Sequence, residues 1–131
     1  MHKGYLRVTA FLGALSVTLG AFAAHYLRSI LTDKDIMVFE TGVRYQLYHS
    51  LALGLVAVLY KEFPNKFMQW AGILFIAGIV LFSGSLYLLT YKNANALQGW
   101  QWVGPVTPLG GVLFIAGWLY LALGIKNKYE K

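Results

Sequence analysis

The chain has 131 residues, of which 58% are apolar and only 12% are charged, and its mean hydropathy is +0.57. Soluble domains carry roughly twice that share of charged residues, so the composition excludes an ordinary water-soluble domain, and the low charge excludes a disordered chain. The net charge of +6 arises from 11 Lys and Arg against 5 Asp and Glu. These basic residues flank apolar runs, where they orient helices in a membrane, so we expect no nucleic-acid partner. The absence of cysteine excludes disulfides and thiolate chemistry.

Four apolar runs predict four membrane-crossing helices. They lie at about residues 6–27, 42–60, 67–91 and 106–125. Each run is long enough to cross a bilayer core of about 30 Å, and only helices satisfy the backbone hydrogen bonds there at these lengths. The predicted fold class is therefore an all-α membrane protein, a four-helix transmembrane bundle in up-down order, with residues 1–131 forming a single domain.

Two helix starts can be predicted from local sequence. Thr32 followed by Asp33 is typical of a helix start, so Ile36 and its neighbours Met37 and Phe39 are expected to form a short interfacial helix before the second span. Thr107 followed by Pro108 is expected to begin the fourth helix, with the threonine as cap.

The first run also resembles a secretory signal peptide. Lys3 and Arg7 precede or enter the apolar stretch, and Ala21-Phe22-Ala23 fits a cleavage site. Because three further apolar runs follow, we expect the first run to remain as an uncleaved helix.

The distribution of basic residues predicts the orientation in a bacterial plasma (inner) membrane. One side would hold Lys3, Arg7, Lys61, Lys66, Lys126, Lys128 and Lys131. The other side would hold Arg28, Lys34, Arg44 and Lys92. Because cytoplasmic loops carry the excess of Lys and Arg, both termini are predicted to be cytoplasmic.

Small residues recur every seven positions in three of the runs. They are Gly13 and Gly20 in the first, Ala71, Gly78 and Ser85 in the third, and Gly110, Gly117 and Gly124 in the fourth. Seven residues are close to two helical turns, so each set lies along one face and lets a neighbouring helix approach closely. We expect these faces to pack against other helices; a groove for a substrate is the alternative.

Polar side chains from four separate segments fall at the same end of the predicted helices. They are His25, Glu40, Arg44, Gln46, Tyr48, His49, Ser83, Ser85, Tyr87 and Thr107. With cytoplasmic termini, this layer lies in the outer leaflet, whereas the inner halves of the helices are almost purely apolar. We take these ten residues as a candidate pocket for a lipid headgroup, a small ligand or a partner.

Helical spacing leaves two interpretations of the charged residues in this layer. Glu40 and Arg44 are four residues apart and can form an ion pair on one helix face. In that case Arg44 belongs to a connected pocket with His49 and Ser83. In the other interpretation Arg44 extends to the lipid headgroups, and the polar residues are scattered near the membrane surface.

Catalytic and metal-binding motifs are not found in the sequence. His25 and His49 could bind haem or, with Glu40, a metal, or could carry a proton. No local ligand motif supports these possibilities, so no metal or cofactor is predicted. Ser83-Gly84-Ser85 lacks a nucleophile-elbow context, and there is no phosphate-binding loop or dinucleotide fingerprint. The chain is therefore not predicted to be an enzyme.

Four stretches together resemble a known family. They are residues 20–27 (GAFAAHYL), 39–49 (FETGVRYQLYH), 81–87 (LFSGSLY) and 107–118 (TPLGGVLFIAGW). They are similar to the small membrane family called domain of unknown function 423, which has bacterial and eukaryotic members. Ala23 departs from the family pattern, which often has glycine there. The resemblance covers nearly the whole chain and implies a four-span protein without an established activity, so it carries over no catalytic residues.

Two classes of function remain open. The first is a non-enzymatic binding or structural protein whose partners are membrane lipid, a second copy of the chain or another membrane protein. The second is an oligomeric transporter or channel subunit, with Glu40, Arg44 and His49 on the path of a small molecule or ion. Because the inner halves of the helices are apolar, four helices alone offer no continuous polar route. We favour the first class.

Overall fold

The structure, a computed structural model, describes residues 1–126, which form helices joined by short links. Helix α1 spans Lys3–His25 and is followed by a 3-10 turn at Leu27–Ser29, and α2 spans Asp33–Leu59. The third run consists of α3 (Lys66–Gly78), a π segment (Ile79–Ser83) and α4 (Gly84–Ala94), without a break. Helix α5 spans Val103–Gly124. The predicted all-α class is confirmed for these residues, and Lys128 and Lys131 lie outside them.

Side-chain caps explain where three of the helices begin. The backbone N–H of Tyr5 donates to His2 Nδ1 (3.1 Å), and that of Asp35 donates to Thr32 Oγ1 (3.2 Å). Asn65 accepts in the same way from the Met68 N–H (3.1 Å). Each cap satisfies a backbone donor that has no partner in the first turn of its helix. The predicted helix start at Thr32 is confirmed.

The prediction of a separate short helix before the second span is wrong. The chain forms one continuous helix from Asp33 to Leu59. Ile36 and Phe39 are buried in it, so these turns pack against the rest of the molecule instead of forming an independent surface helix.

The predicted start of the fourth helix is also wrong. Helix α5 begins at Val103, and Pro108 therefore lies inside it. Val103 is fully buried, and its N–H is bonded to the Trp100 carbonyl (3.1 Å), so packing extends the helix towards its N-terminus. Pro105 is tolerated in the first turn because N–H groups there have no intrahelical partner.

Consecutive helices pack antiparallel. On α1, Thr9 lies against Gly54 of α2, whereas Gly20 lies near Val43, closer to the start of α2. The third run packs on α2 and also on α5. The main core lies among α2, α3, the π segment and α5, and its buried members are Ala52, Val56, Met68, Ala71, Phe75, Ile79, Phe114 and Leu121.

Three helical segments are long and apolar enough to cross a membrane. They are Lys3–Ser29, Lys66–Ala94 and Val103–Gly124. Helix α2 is longer than α5 but carries Asp33, Asp35, Glu40 and Arg44 in its first half. Because of these charges, α2 as a whole is less apolar than the three segments above.

The small-residue faces predicted from sequence have different surroundings. On α5, Gly110 lies against the backbone of Phe82, Gly117 against the Phe75 ring, and Gly124 against Met68. The predicted close packing is therefore confirmed for α5. It is wrong for Gly13 of α1, because a Cβ placed there would have no atom of a neighbouring helix within 4 Å.

Candidate functional site

The structure divides the ten predicted site residues by burial. The buried members are Gln46, His49, Ser83 and Ser85, the half-buried members are Glu40, Tyr87 and Thr107, and the exposed members are His25, Arg44 and Tyr48. This division separates side chains that connect helices from side chains that face outwards.

Gln46 connects three helices. Its side chain is only 1% exposed. Its Nε2 donates to the Leu12 carbonyl of α1 (3.1 Å), and its Oε1 accepts from the Tyr87 hydroxyl of α4 (2.6 Å). The Ser50 hydroxyl donates to the Gln46 carbonyl. A buried amide with both ends bonded stabilises the contact of α2 with its neighbours.

The two serines predicted for the pocket also connect helices. Ser83, in the π segment, donates its hydroxyl hydrogen to the Gly42 carbonyl of α2 (2.6 Å). Ser85 shares a hydrogen bond with Thr107 and so joins α4 to α5.

The π segment was not predicted, since nothing in this apolar run distinguishes i→i+5 from i→i+4 bonding. Such segments are frequent at functional sites, and here one presents Ser83 to α2.

His49 is bonded through both ring nitrogens. Trp118 Nε1, which can only donate, lies 3.1 Å from His49 Nε2. His49 Nδ1 lies 2.8 Å from the Tyr45 carbonyl, which can only accept. This pattern corresponds to the neutral imidazole with its hydrogen on Nδ1. The ring stacks on Phe114 with 3.6 Å between centroids, so His49 fastens α2 to α5.

Of the two interpretations of the charged residues, the one with a Glu40–Arg44 ion pair is wrong. Arg44 Nη2 donates to Thr41 Oγ1 (3.2 Å), one turn earlier on α2. Glu40 instead lies 3.8 Å from Arg28 in the 3-10 turn. His25 is exposed at the last residue of α1. A single pocket that connects Arg44 through Glu40 with the buried polar side chains is therefore not formed.

The polar contacts also reach further along the bundle than expected. Thr107 lies four residues after the start of α5, whereas Trp118 lies six residues before its end. His49, which bonds Trp118, is therefore not at the level of Thr107. The buried polar side chains extend past the middle of α5 instead of forming one layer at its Val103 end.

A groove lies between α2 and α5, and the His49–Trp118 contact is at one end of it. Its volume is about 580 Å³, it is open on one side, and it is lined by Tyr45, Tyr48, His49, Gly111, Phe114, Ile115 and Trp118. Only Tyr48 and His49 were predicted as site residues. The α5 members recur at three- and four-residue spacing and so share one helix face. Because these residues are as apolar as the rest of α5, the sequence does not distinguish this face from the faces that pack against other helices.

Aromatic rings form the walls of this α2–α5 groove. Tyr45 stacks on Phe82 with 4.7 Å between centroids, and Trp118 meets Phe75 edge-on at 5.2 Å. Trp118 is 45% exposed although its indole N–H is bonded to His49. The groove is therefore apolar and held in shape by stacked rings, and Tyr45 and Tyr48 are the lining residues that carry hydroxyl groups.

Within residues 1–126, no three His, Asp or Glu side chains converge as a metal site. His25 and His49 are on different helices, and both nitrogens of His49 already have partners. The arrangement can hold an apolar or amphiphilic molecule through surface contact and hydroxyl groups.

Antiparallel packing of helices, with three segments long and apolar enough to cross a membrane, is typical of an integral membrane protein. The chain belongs to the family described as protein of unknown function (DUF423), whose sequence profile matches residues 19–111. The resemblance inferred from the four sequence stretches is thereby confirmed.

Several curated relatives match over most of their length. A UPF0382 membrane protein of Haemophilus influenzae is 41% identical over 124 residues, which cover 95% of this chain and 94% of the relative. The UPF0382 membrane protein YwdK of Bacillus subtilis is 43% identical over 90% of this chain and 95% of its own. The UPF0382 inner membrane protein YgdD of Escherichia coli is 37% identical, covering 88% and 83% respectively. No solved structure matches the chain.

Proposed function

We propose that the protein is a non-enzymatic, four-span membrane protein that binds an amphiphilic molecule of the bilayer in the α2–α5 groove. The observation that carries this proposal is the groove itself, an aromatic-walled space of about 580 Å³ that opens sideways from the helices. Ligand sites are concave, mostly apolar and provided with a few polar groups. A groove that opens sideways from membrane-crossing helices is accessible to lipid.

The burial of polar side chains on α2 supports the proposal that α2 crosses the membrane in addition to the three strongly apolar segments. Its less apolar side chains include Gln46, His49 and Ser50, and all three are buried against other parts of the molecule. A helix whose polar groups are bonded inside the protein does not expose them to lipid. Residues 42–60 can therefore cross although α2 is less apolar than its neighbours.

The pairing of polar groups favours binding over transport. Gln46, His49, Ser83 and Ser85 all have hydrogen-bond partners within the protein. A translocation path needs polar groups that face a cavity, whereas these groups hold helices together. An oligomeric transporter or channel subunit remains the alternative, and it predicts that binding is coupled to movement across the bilayer.

The orientation proposed from the sequence can be tested by thiol labelling. Lys3, Arg7, Lys61, Lys66 and Lys126 of the described residues lie at one end, which we propose is cytoplasmic. A membrane-impermeant thiol reagent applied to intact cells should label Asn95→Cys and spare Glu62→Cys. Glu62 is exposed and lies in the link between α2 and α3, so a cysteine there is accessible from its own side of the membrane. Labelling of Glu62→Cys alone would reverse the orientation.

Two glycines of α5 provide the test of the groove. Gly111 lines it, and a Cβ there would lie 3.9 Å from the nearest Phe82 atom. Gly111→Leu should therefore fill the groove without disturbing the helix packing. Gly104→Leu is the matched control, because Gly104 is exposed and no neighbouring side chain lies within 4 Å of its Cβ position.

Native mass spectrometry of protein released from mild detergent gives the readout. The wild type and Gly104→Leu should retain a bound amphiphile, and Gly111→Leu should lose it. Equal retention by both variants would contradict the assignment of the groove as the binding site. Solvent extraction of the retained material identifies its chemical class.

A further inference from the structure

The positively charged side chain of Arg44 lies near one end of the α2–α5 groove. Arg44 precedes the groove residue Tyr48 by one helical turn on α2. Its guanidinium reaches Thr41, one turn towards the N-terminal end of the helix, as expected from the direction of helical side chains. That end carries the charged residues Asp33, Lys34 and Asp35. Arg44 therefore extends from the groove towards the polar boundary of the membrane.

The positive charge of Arg44 is not neutralised by a carboxylate in the part of the chain that the structure describes. Glu40, one turn away on α2, lies with Arg28 at 3.8 Å, and the contact of Arg44 is with a neutral hydroxyl. The Arg44 side chain is exposed. Because a guanidinium presents five donors in a planar fork, its best partner here is a phosphate, which accepts two of them in parallel.

The shape of the groove fits a hydrocarbon chain. From Gly111 to Trp118 it extends about 10 Å along α5, at roughly 1.5 Å per residue. Gly111, Ile115 and Trp118 line this stretch on one side, and Tyr48 lines it on the other. The phosphate-binding donor and the apolar groove are thus arranged in line along the membrane normal, like the headgroup and acyl chain of a lipid.

We propose that the α2–α5 groove binds a phospholipid, with its phosphate on Arg44 and one acyl chain along Tyr48, Ile115 and Trp118. This inference rests on the proposed function and specifies the ligand of the same groove. The lipid comes from the leaflet that meets the Asp33 end of α2. Arg44 is the residue that distinguishes a phospholipid from an uncharged amphiphile with the same chains.

Trp118 provides a probe inside the groove. The variant Trp70→Phe/Trp100→Phe/Trp102→Phe keeps Trp118 as the single tryptophan of the chain. In micelles of a non-ionic sugar detergent it is titrated with phosphatidylglycerol that carries brominated acyl chains, and separately with diacylglycerol that carries the same chains. Bromine quenches indole fluorescence on contact, so saturable quenching measures occupancy of the groove.

The headgroup dependence is the expected result. Phosphatidylglycerol should reach half-saturation at about a tenfold lower mole fraction than diacylglycerol, as for a charge-assisted hydrogen-bonded pair. Arg44→Gln should remove this difference, and Arg44→Lys should keep part of it. The control Arg7→Gln removes an exposed arginine near the opposite end of the helices and should leave the difference intact.

The two possible failures are distinguishable. Equal half-saturation by both compounds, or the same titration for Arg44→Gln and Arg7→Gln, would overturn the phospholipid assignment and leave the groove as the site of an uncharged amphiphile. Quenching that rises without saturation for both compounds would overturn the proposed function as well.

Discussion

The glycine row of α5 (Gly110, Gly117 and Gly124) and the glycine row of α1 (Gly13 and Gly20) share a seven-residue spacing but differ in what faces them. On α5, each glycine lies against a large side chain or a backbone of the third run. On α1, a Cβ at Gly13 would meet no neighbour within 4 Å, and one at Gly20 would make an ordinary 3.7 Å contact with Val43. Spacing therefore identifies a shallow helix face but does not determine whether another helix fills it.

Reciprocal phenylalanines account for the close packing on α5. The Phe75 ring of α3 covers Gly117, and the Phe114 ring of α5 covers Gly78 of α3. Each helix therefore inserts a ring at the position where the other lacks a side chain. Such interlocking makes the interface sensitive to any added volume, because a packed interior has no room to adjust. The α1 row has no comparable partner.

Gly110→Ala should give the largest effect, a loss of about 3 kcal/mol in the free energy of unfolding. The new Cβ would lie 2.7 Å from Phe82 Cα, and a backbone atom cannot rotate away as a side chain can. Thermal or denaturant unfolding in detergent measures the loss. The adjacent Gly111→Ala is the control and should change stability by less than about 0.5 kcal/mol. Equal effects of the two variants would contradict the close approach at Gly110.

Gly117→Ala should cost about 2 kcal/mol, because its Cβ would lie 2.7 Å from the Phe75 ring. The substitution is combined with Phe75→Leu in a double-mutant cycle. A smaller side chain at position 75 should make room for the added methyl group, so the double variant should be more stable than the sum of the single effects predicts. Additive effects would mean that ring and glycine do not restrict each other.

Sequence reasoning succeeded where a feature depends on local chemistry. The helical class, three of the four apolar runs as membrane-length helices, and the start at Thr32 follow from composition, run length and capping chemistry. The positions of Gln46 and His49 as polar residues within an apolar helix also follow from the sequence. Their partners Leu12 and Trp118 do not, since these contacts join residues 34 and 69 positions apart.

The parts that sequence reasoning missed depend on tertiary packing. Spacing allowed Glu40 to pair with Arg44, but the turn after α1 brings Arg28 to Glu40 instead. The groove was not predicted because Ile115, which lines it, has the same apolar character as residues buried in the core, and Phe114 belongs to both. Whether an apolar side chain faces a groove or a neighbouring helix is decided by the position of the second helix.

Gln46→Leu tests a different kind of attachment, since α1 is joined to α2 through this amide and not through a glycine row. The variant should lose about 1 kcal/mol, because interhelical hydrogen bonds in membranes contribute modestly. It removes the Gln46 bonds to the Leu12 carbonyl, which keeps its bond from the Ser16 hydroxyl, and to the Tyr87 hydroxyl. Tyr87→Phe removes only one of the two bonds and should cost about half as much. A Gln46→Leu variant as stable as the wild type would mean that α1 is held by apolar packing and by its other hydrogen bonds, from the His2 N–H to the Ala57 carbonyl and from the Tyr5 hydroxyl to the Gln69 carbonyl.

Gly13→Leu should give the smallest effect, although the same change at Gly117 is expected to be severe. The Gly13 side of α1 has open space where the new side chain would extend, and replacement of a mid-helix glycine lowers the conformational freedom of the unfolded chain. The free energy of unfolding should therefore stay within about 0.5 kcal/mol of the wild type or rise.

The Gly13→Leu and Gly117→Leu variants are unfolded in the same detergent at several protein concentrations, and their oligomeric state is measured alongside. A loss above about 1 kcal/mol for Gly13→Leu that diminishes on dilution would show that a second copy covers the α1 row. A loss independent of concentration would show that α1 packs more closely in the membrane than the contacts at Gly13 indicate. Either result would remove the contrast between the two glycine rows.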